Sequence, residues 1–383
     1  MERTTVVSND IGALLDGIRD VAAERIAPEA ARIDRERAFP AESVRALGEI
    51  GALGLVVPVE HGGGGGALTA LAEGCEIVGS ACASSGMVFL MHSVTAATIG
   101  AGGGTRAAEL LDAMASGSTL GTLAFSERGT GAHFYSPELK AVHSNGGVSI
   151  SGRKSFVTSG GHAGVYLILV QGEAEGTADA YLVSGDQAGV RADGTWLGLG
   201  MAGNSSVALE LDNVALGDDD RIGPAGEAVG LVFDAVAPFF LVGLAAVNVG
   251  IAAAAAAAAT AHARDRRYAD GSSLAEVQYV QHLLADMDLL TRQARLLVRE
   301  AARLGEAGDP SALVAIMEAK VVATEAATAV TQKALDATGG QGYTSALPVE
   351  RHLRDARAGA VMAPTNAVLR SWIGKALAGL PVP

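Results

Sequence analysis

The stretch RDARAGAVMAPTNAVLR, which runs from Arg354 to Arg370, is typical of a loop that grips a cofactor and leads into a helix. At its centre, at the position best suited to an acid, the chain has Ala363. A methyl group cannot accept a proton. The stretch therefore predicts a cofactor-binding loop from which the most convenient base is missing.

Composition describes a globular chain of more than one domain. It has 383 residues, of which 49% are hydrophobic and 18% charged, enough for roughly two or three packed units. The formal net charge of -14 disfavours a nucleic-acid binder, because such a protein needs a basic face to neutralise phosphates. A local basic pocket for a phosphorylated ligand is still compatible with an acidic total.

Three features bear on the cellular location. Cys75 and Cys82 match neither a zinc spacing nor a disulfide framework, so we expect two buried thiols in a reducing cytoplasm. The N-terminal residues lack the apolar core of a signal peptide. The run Phe239–Ala261 is long enough to span a bilayer, but its second half is almost all Ala and Asn248 interrupts it. We expect it to be a core helix of a cytoplasmic protein that binds no membrane.

The period of the hydrophobic residues divides the chain into three parts. Residues 1–120 repeat apolar residues at helical spacing, which predicts an N-terminal helical domain. Residues 121–230 contain alternating or β-branched runs between Gly, Asn and Asp, which predict a middle β-domain. Residues 231–383 are rich in Ala and Leu and predict a C-terminal domain of the four-helix-bundle type. The predicted fold class is α+β and multidomain, and the predicted strands are VSISGRKSFVTSG, GVYLILVQG, DAYLVSG and VALELDNVAL.

Two glycine-rich motifs place hydroxyl groups at predicted strand ends. LAFSERGTGAHF (Leu123–Phe134) carries Ser126, and GRKSFVTSGGHA (Gly152–Ala163) carries Thr158. A glycine-lined strand end brings backbone N–H groups and a hydroxyl to an anionic group or a polar ring edge. Either motif alone is a weak signal, because an ordinary turn has the same composition.

Together with motifs further along, these two resemble the acyl-CoA dehydrogenase superfamily of flavoproteins. The resemblance covers nearly the whole chain, and the family patterns A-x-T/S-E-P-x-x-G-S-D and K-x-W/F-I-T-N/S-G correspond to the two motifs just quoted. Four further stretches match family motifs in order and spacing: GMAGNSSVALELDNVAL (Gly200–Leu216), RYADGSSLAEVQYVQHLLADM (Arg267–Met287), ALDATGGQGYTSALPVERHLRDARAG (Ala334–Gly359) and APTN (Ala363–Asn366), the last in place of E-G-T-N.

The resemblance implies an FAD enzyme of fatty acid metabolism that desaturates an acyl-CoA or an acyl group on a carrier protein. It implies an electron-acceptor flavoprotein or reductase as a partner, and a homodimer or homotetramer. Phe125 and Ser126 would belong to the FAD site, with Ser126 hydrogen-bonded to the pyrimidine edge of the flavin. Thr158 would reach flavin N5, the atom that accepts hydride, and Phe156 would pack on the isoalloxazine.

The remaining FAD contacts implied by the resemblance come from the C-terminal domain. Arg267 and Gln278 would contact the phosphates and ribose across a subunit interface, and Gly339 and Gly340 would give close backbone approach. Thr365 and Asn366 would meet the pyrophosphate at a helix N-terminus, where the dipole favours anions.

The chain departs from the family at the catalytic base. Desaturation needs a carboxylate that takes the α-proton while the β-hydrogen leaves as hydride. The family Glu of E-G-T-N is Ala363 here, and the alternative site used in some branches, one residue before an Arg, is Phe240 followed by Leu241. Asp234 lies almost two helical turns upstream. The sequence therefore assigns no catalytic residue.

Other departures lie in the cofactor motifs. His133 is a candidate acid or base, against the alternative of a solvated loop histidine. Arg128 is a candidate partner for a carboxylate or phosphate, against a surface ion pair. The residues that replace family positions are Arg128, Ala132, His133, Ala202, Asp270 and Asp336.

Three functions follow from this combination and stay open at the level of sequence. The first is a flavin-dependent acyl-CoA dehydrogenase or close relative. The second is a monooxygenase of the same fold that uses reduced flavin and needs no thioester base. The third is a non-catalytic subunit that pairs with a catalytic homologue.

Overall fold

The computed structural model describes residues 10–144 and 147–382. The expectation about a signal peptide concerns residues 1–9 in part, and these lie outside the described residues. The first part is helical, as predicted, and short π- and 3₁₀-helical turns join its longer helices. Its helices are α1 (Ile11–Val21), α2 (Ala30–Glu36), α3 (Ala41–Glu49), α4 (Leu68–Ala81), α5 (Ala83–Gly102) and α6 (Thr105–Ala115).

The middle part is a pair of four-stranded sheets. Their orders are β1-β4-β5-β8 and β2-β3-β7-β6, and all pairings are antiparallel except that of β1 with β4. The four quoted sequence stretches correspond to β3, β4, β5 and β7, so those strand predictions are confirmed. The strands are β1 (Gly121–Ala124), β2 (Ala141–Ser144), β3 (Gly147–Val157), β4 (Val165–Gln171), β5 (Ala178–Ser184), β6 (Val190–Asp193), β7 (Val207–Leu216) and β8 (Arg221–Ile222).

The central strand β4 explains how the β-part attaches to the helices. Tyr166 and Ile168 point into the core between the two sheets. The alternate residues Val165, Leu167 and Leu169 belong to the larger core that the helices share. Because side chains alternate across a strand, one buried strand serves both cores.

The last part is helical again, with α7 (Ala228–Leu231), α8 (Ala237–Asp265), α9 (Gln278–Glu306), α10 (Ala312–Thr338), α11 (Gly340–Tyr343), α12 (Val349–Val361) and α13 (Asn366–Leu377). The continuous helix Ala228–Asp265 is long and apolar enough to cross a membrane, yet 72% of its most apolar window is buried inside the protein. Such burial is typical of a core helix, the interpretation given above to Phe239–Ala261. The α+β, three-part fold class is confirmed.

Two neighbouring residues of α12 join all three parts. The Arg354 guanidinium donates to both carboxylate oxygens of Asp34 in α2, at 2.8 and 2.6 Å, and to the Leu199 carbonyl oxygen at 3.3 Å. The Asp355 carboxylate accepts from the Met201 N–H at 2.6 Å, and burial raises the pKa of Asp355 to about 6. Helix α12 is therefore fixed against α2 and against the loop that follows β6.

Candidate functional site

The two hydroxyl motifs meet at adjacent strand ends. The Ser155 N–H donates to the Ser126 carbonyl oxygen at 2.8 Å, and the Thr122 hydroxyl donates to the Thr158 carbonyl oxygen at 2.8 Å. These two bonds pair residues 122–126 with residues 155–158, so the predicted flavin-ring residues of the two motifs lie on neighbouring backbone segments. The structure thus brings Phe125, Ser126, Phe156 and Thr158 together.

A buried ion pair fixes this junction. Lys154 is fully buried, and its ammonium contacts the Glu127 carboxylate and donates to the carbonyl oxygens of Leu169, at 2.5 Å, and Phe125, at 3.5 Å. Glu127 in turn accepts from the Leu139 N–H at 3.1 Å. Burial lowers the pKa of Lys154, and the Glu127 carboxylate opposes that shift. The pair sets the relative position of the two motifs.

The loop after β6 supports the end of β3. The Thr158 and Ser206 hydroxyl oxygens are 3.0 Å apart. The backbone N–H groups of Ser159 and Gly160 donate to the carbonyl oxygens of Asn204 and Ser205 at 2.9 and 3.0 Å. Thr158 therefore sits in a hydrogen-bonded frame rather than at a loose loop end.

Unusual backbone conformations cluster at this strand end. Phe156, Ser159, Met201 and Ser205 are non-glycine residues with φ between 49° and 61°. Such conformations cost free energy and concentrate at functional sites. The ring of Phe156 is 71% exposed and lies at a T-shaped angle to the ring of Trp196, with 6.4 Å between the centroids. An exposed aromatic face therefore adjoins the buried hydroxyl of the site.

Lys320 of α10 binds the loop that contains Ala363 by hydrogen bonds. The fully buried ammonium donates to the Asn366 amide oxygen at 2.8 Å and to the carbonyl oxygens of Pro364 and Met362 at 3.0 and 3.4 Å. Burial lowers the pKa of Lys320 to about 8, although the negative charge of Glu325 acts to raise that pKa. We call residues 362–366 the C-terminal turn.

Asn366 uses its side chain inside the protein. Its amide donates to the Thr324 hydroxyl at 2.9 Å and its amide oxygen accepts from Lys320. The Thr365 hydroxyl caps α13 by accepting from the Val368 N–H at 3.3 Å. A pyrophosphate at this helix start would therefore be met by backbone N–H groups, and the Asn366 side chain would act by shaping the turn.

The two positions that carry the base in the family are both occupied by apolar side chains. Ala363 and Phe240 are half-buried and pack against the main core. The Glu325 carboxylate accepts from the Asn366 amide of the turn at 3.4 Å, but Glu325 is exposed and is paired with Arg370 at 2.9 Å. Asp234 is exposed. The structure supplies no carboxylate at position 363 or 240.

His133 belongs to an aromatic group at the edge of the site. Its Nδ1 lies 2.9 Å from the Tyr135 hydroxyl oxygen. The Tyr135 ring is 5.1 Å from the ring of Phe233 and 6.2 Å from that of Trp372 on α13. Burial raises the pKa of Tyr135. Arg128 of the same loop is exposed.

A cavity of about 580 Å³ adjoins Tyr135. It lies between β2, the turn that joins β4 to β5, and α7. Lys140 and His143 line it together with Glu173 and Glu175, and the His143 and Glu173 side chains approach to 3.5 Å. The cavity thus combines both signs of charge and opens beside the aromatic group that contacts α13.

The other predicted cofactor residues lie on the outside of the C-terminal part. Arg267 and Gln278 are exposed, and Gln278 is the first residue of α9. Gly339 and Gly340 are exposed too, and a Cβ at either one would meet no atom within 4 Å from the described residues beyond its immediate chain neighbours and its own helix backbone. The chain does not bring these four to Thr158 by any hydrogen bond among the described residues. The contacts implied for Arg267 and Gln278 across a subunit interface, and the close backbone approach implied at Gly339 and Gly340, stay predictions.

The sequence analysis missed the buried residues that hold these groups in place. Lys154 and Glu127 stand inside the quoted motifs, but a pattern of letters does not show that two charges are buried together. Lys320 had a usable signal, because it is spaced four residues from Ile316 and from Thr324, on the buried face of α10. A lone Lys on an apolar helix face predicts a buried ammonium with a structural task.

The fold has three parts, helical, β and helical in chain order. Models of the N-terminal, middle and C-terminal domains of acyl-CoA dehydrogenase match residues 8–118, 122–214 and 242–378. The chain belongs to the acyl-CoA dehydrogenase family.

Individual relatives agree with this assignment. The chain is 30% identical to the human mitochondrial short-chain specific acyl-CoA dehydrogenase over 93% of its own length and 87% of the relative. Butyryl-CoA dehydrogenase from Megasphaera elsdenii has the same fold, with a TM-score of 0.90, 24% identity and 99% of each chain covered. The structure of PigA with FAD and proline gives a TM-score of 0.88 at 19% identity, over 99% of each chain.

The depressed pKa of Lys320 predicts a pH-dependent stability. Its folded value is about 8 and its ordinary value is 10.5. Between these values the unfolded chain holds a proton that the folded chain has released, so the free energy of unfolding rises with pH across this window. Lys320→Met is expected to remove that part of the rise, about 3 kcal/mol at most. Urea unfolding at a series of pH values measures it.

Lys375→Met, which removes an exposed lysine from α13, is the matched control and should keep the full wild-type rise. Lys154, whose pKa burial also lowers, contributes equally in all three proteins. A Lys320→Met protein that retains the whole rise would show that this ammonium is not held as described.

Proposed function

We propose that the protein is an FAD-dependent enzyme that oxidises an acyl thioester by α,β-desaturation. The observation that carries the proposal is the junction of the two motifs, where Ser126 is hydrogen-bonded to Ser155 and Thr158 to Thr122, beside the exposed ring of Phe156. Membership of the acyl-CoA dehydrogenase family supports FAD as the cofactor.

The residues present fit a flavin. Phe156 offers an aromatic face that the chain itself does not cover, next to the buried hydroxyl of Thr158. Gly339 has φ 56° and open space beside it, so a ligand can approach its backbone without meeting a side chain. The start of α13 offers N–H groups to a phosphate. FAD bound there would supply the acceptor for the hydride that leaves the β-carbon.

The tasks of the chain's own residues follow from their positions. Ser126 and the backbone near Phe125 would hold the polar edge of the ring, and Thr158 would contact its reacting nitrogen. Lys154 fixes the Phe125 carbonyl oxygen by a hydrogen bond, and Lys320 separately fixes the C-terminal turn through Pro364 and Asn366. Neither Lys154 nor Lys320 is placed to accept the α-proton, because both ammonium groups are fully buried and already make hydrogen bonds inside the protein.

Loss of the α-proton is the step for which this chain is least equipped. A positioned general base contributes about 100-fold to 10,000-fold to such a step. The half-buried methyl group of Ala363 occupies the position from which a carboxylate acts in the family. We therefore propose slow desaturation, limited by proton removal.

The substrate we propose is a CoA thioester. The names of the human relative and of the Megasphaera protein refer to acyl-CoA substrates, which supports it. The cavity beside Tyr135 adjoins the aromatic group that meets α13, and it offers Lys140 and His143 to a phosphorylated tail. An electron-transferring flavoprotein is the electron acceptor we propose, in line with the family.

A wild-type titration tests the proposed function. Purified protein is mixed anaerobically with acyl-CoAs of short, medium and long chain, and the visible flavin absorbance is followed. At least one chain length is expected to bleach the flavin with saturating dependence on its concentration, because hydride reduces the ring. A yellow protein that no acyl-CoA bleaches would overturn desaturation.

A second candidate function is a same-fold monooxygenase that uses reduced flavin, and the apolar residues Ala363 and Phe240 favour it because it needs no thioester base. Protein that is colourless as purified, binds reduced flavin and consumes oxygen would support it. Colourless protein that binds neither flavin form and co-purifies with a homologue would instead support a non-catalytic subunit.

We also propose a homodimer or homotetramer. Leu289 and Leu296 lie seven residues apart on α9, on one helix face, and both are exposed, at 55% and 67%. Light scattering is expected to give a mass of two or four chains, and Leu296→Glu should lower it, because a charge would be buried in the contact. Leu380→Glu, at an exposed apolar residue beyond α13, is the control. A monomeric wild type would contradict the proposal.

A further inference from the structure

Asn204 and Ser206 form a buried chain of hydrogen bonds with Thr158. The Ser206 hydroxyl donates to the Asn204 amide oxygen at 3.1 Å. The Ser206 and Thr158 hydroxyl oxygens lie 3.0 Å apart. All three residues are buried. The Asn204 carbonyl oxygen accepts from the Ser159 N–H, and the Thr158 carbonyl oxygen accepts from the Thr122 hydroxyl.

The direction of this chain follows from counting protons. An amide oxygen only accepts, so the bond to Asn204 uses the single proton of Ser206. The bond between Ser206 and Thr158 must then use the proton of Thr158. The Thr158 hydroxyl oxygen can therefore only accept a hydrogen bond from any other neighbour.

We propose that Ser206 is a positioning residue that makes the Thr158 hydroxyl a hydrogen-bond acceptor toward the flavin, and that this favours the reduced cofactor. The inference rests on the proposed function in that it takes FAD to be bound with its N5 at Thr158. N5 carries a hydrogen in the reduced ring and a lone pair in the oxidised ring. If the Thr158 oxygen accepts, it gains a hydrogen bond from N5–H in the reduced flavin. In the oxidised flavin its lone pair faces the lone pair of N5 and repels it.

The two neighbouring serines give a matched comparison. The Ser205 hydroxyl donates to the Gly160 carbonyl oxygen at 2.9 Å and has no part in the chain. Ser206→Ala frees the Thr158 proton, which can then be donated to the oxidised ring. Ser206→Thr keeps the hydroxyl and the direction. Ser205→Ala removes a hydroxyl of the same loop and leaves the direction unchanged.

The experiment is a reductive titration of the flavoprotein against a reference dye, without substrate. Ser206→Ala is expected to lower the reduced-to-oxidised ratio at a fixed potential about tenfold, which is about 30 mV for a two-electron couple. Ser206→Thr and Ser205→Ala are expected to keep the wild-type midpoint. In a Thr158→Val background Ser206→Ala should have no further effect, because the group it redirects has gone.

An unchanged midpoint in Ser206→Ala, or a shift that persists in the Thr158→Val background, would overturn the inference. If Ser206→Ala loses the flavin, Asn204→Leu tests the same direction, because removal of the acceptor lets Ser206 donate to Thr158. That variant should then lower the midpoint, and an unchanged value would be equally decisive. The titration uses no substrate, so it still tests the inference if no acyl-CoA bleaches the flavin. A protein that binds no flavin would contradict both the inference and the proposed function.

Discussion

The site depends on one buried ammonium. Lys320 donates to the Asn366 side chain and to two carbonyl oxygens of the C-terminal turn, and none of these contacts involves the side chain at position 363. These three contacts therefore do not depend on the side chain at position 363. This separates the construction of the site from its proton chemistry, and it explains how Ala363 can occupy the place of a carboxylate without collapse of the turn.

The same construction links the turn to the flavin-ring residues. Helix α12 ends at Val361, directly before the turn, and its Arg354 and Asp355 bind α2 and the loop at 199–201. That loop continues to Ser206, which bonds Thr158. A displacement of α12 would thus move the turn and Thr158 together. The geometry of the cofactor site is a property of the packed domains rather than of any single motif.

The sequence predicted the fold well because periodicity and motif order are local. The strands β3, β4, β5 and β7 follow from their alternating or β-branched runs, and the core helix that contains Phe239–Ala261 follows from its long, Ala-rich apolar run. The strand-end hydroxyls were predicted too, because glycines mark where strands stop. The sequence could not show which polar side chains are buried. Asn366 is buried because Lys320 and Thr324, more than 40 residues earlier in the chain, supply its hydrogen-bond partners. The same reason hid the Lys154–Glu127 pair and the Ser206 contact.

The central claim is that the scaffold is competent and that only its base is missing. It is tested most directly by the rate at which an acyl-CoA reduces the flavin in Ala363→Glu, compared with Ala363→Gln, which has the same size and no charge. The account predicts that the Glu variant is faster than both the Gln variant and the wild type by about 100-fold or more. Equal rates in the Glu and Gln variants, with flavin bound in both, would contradict it.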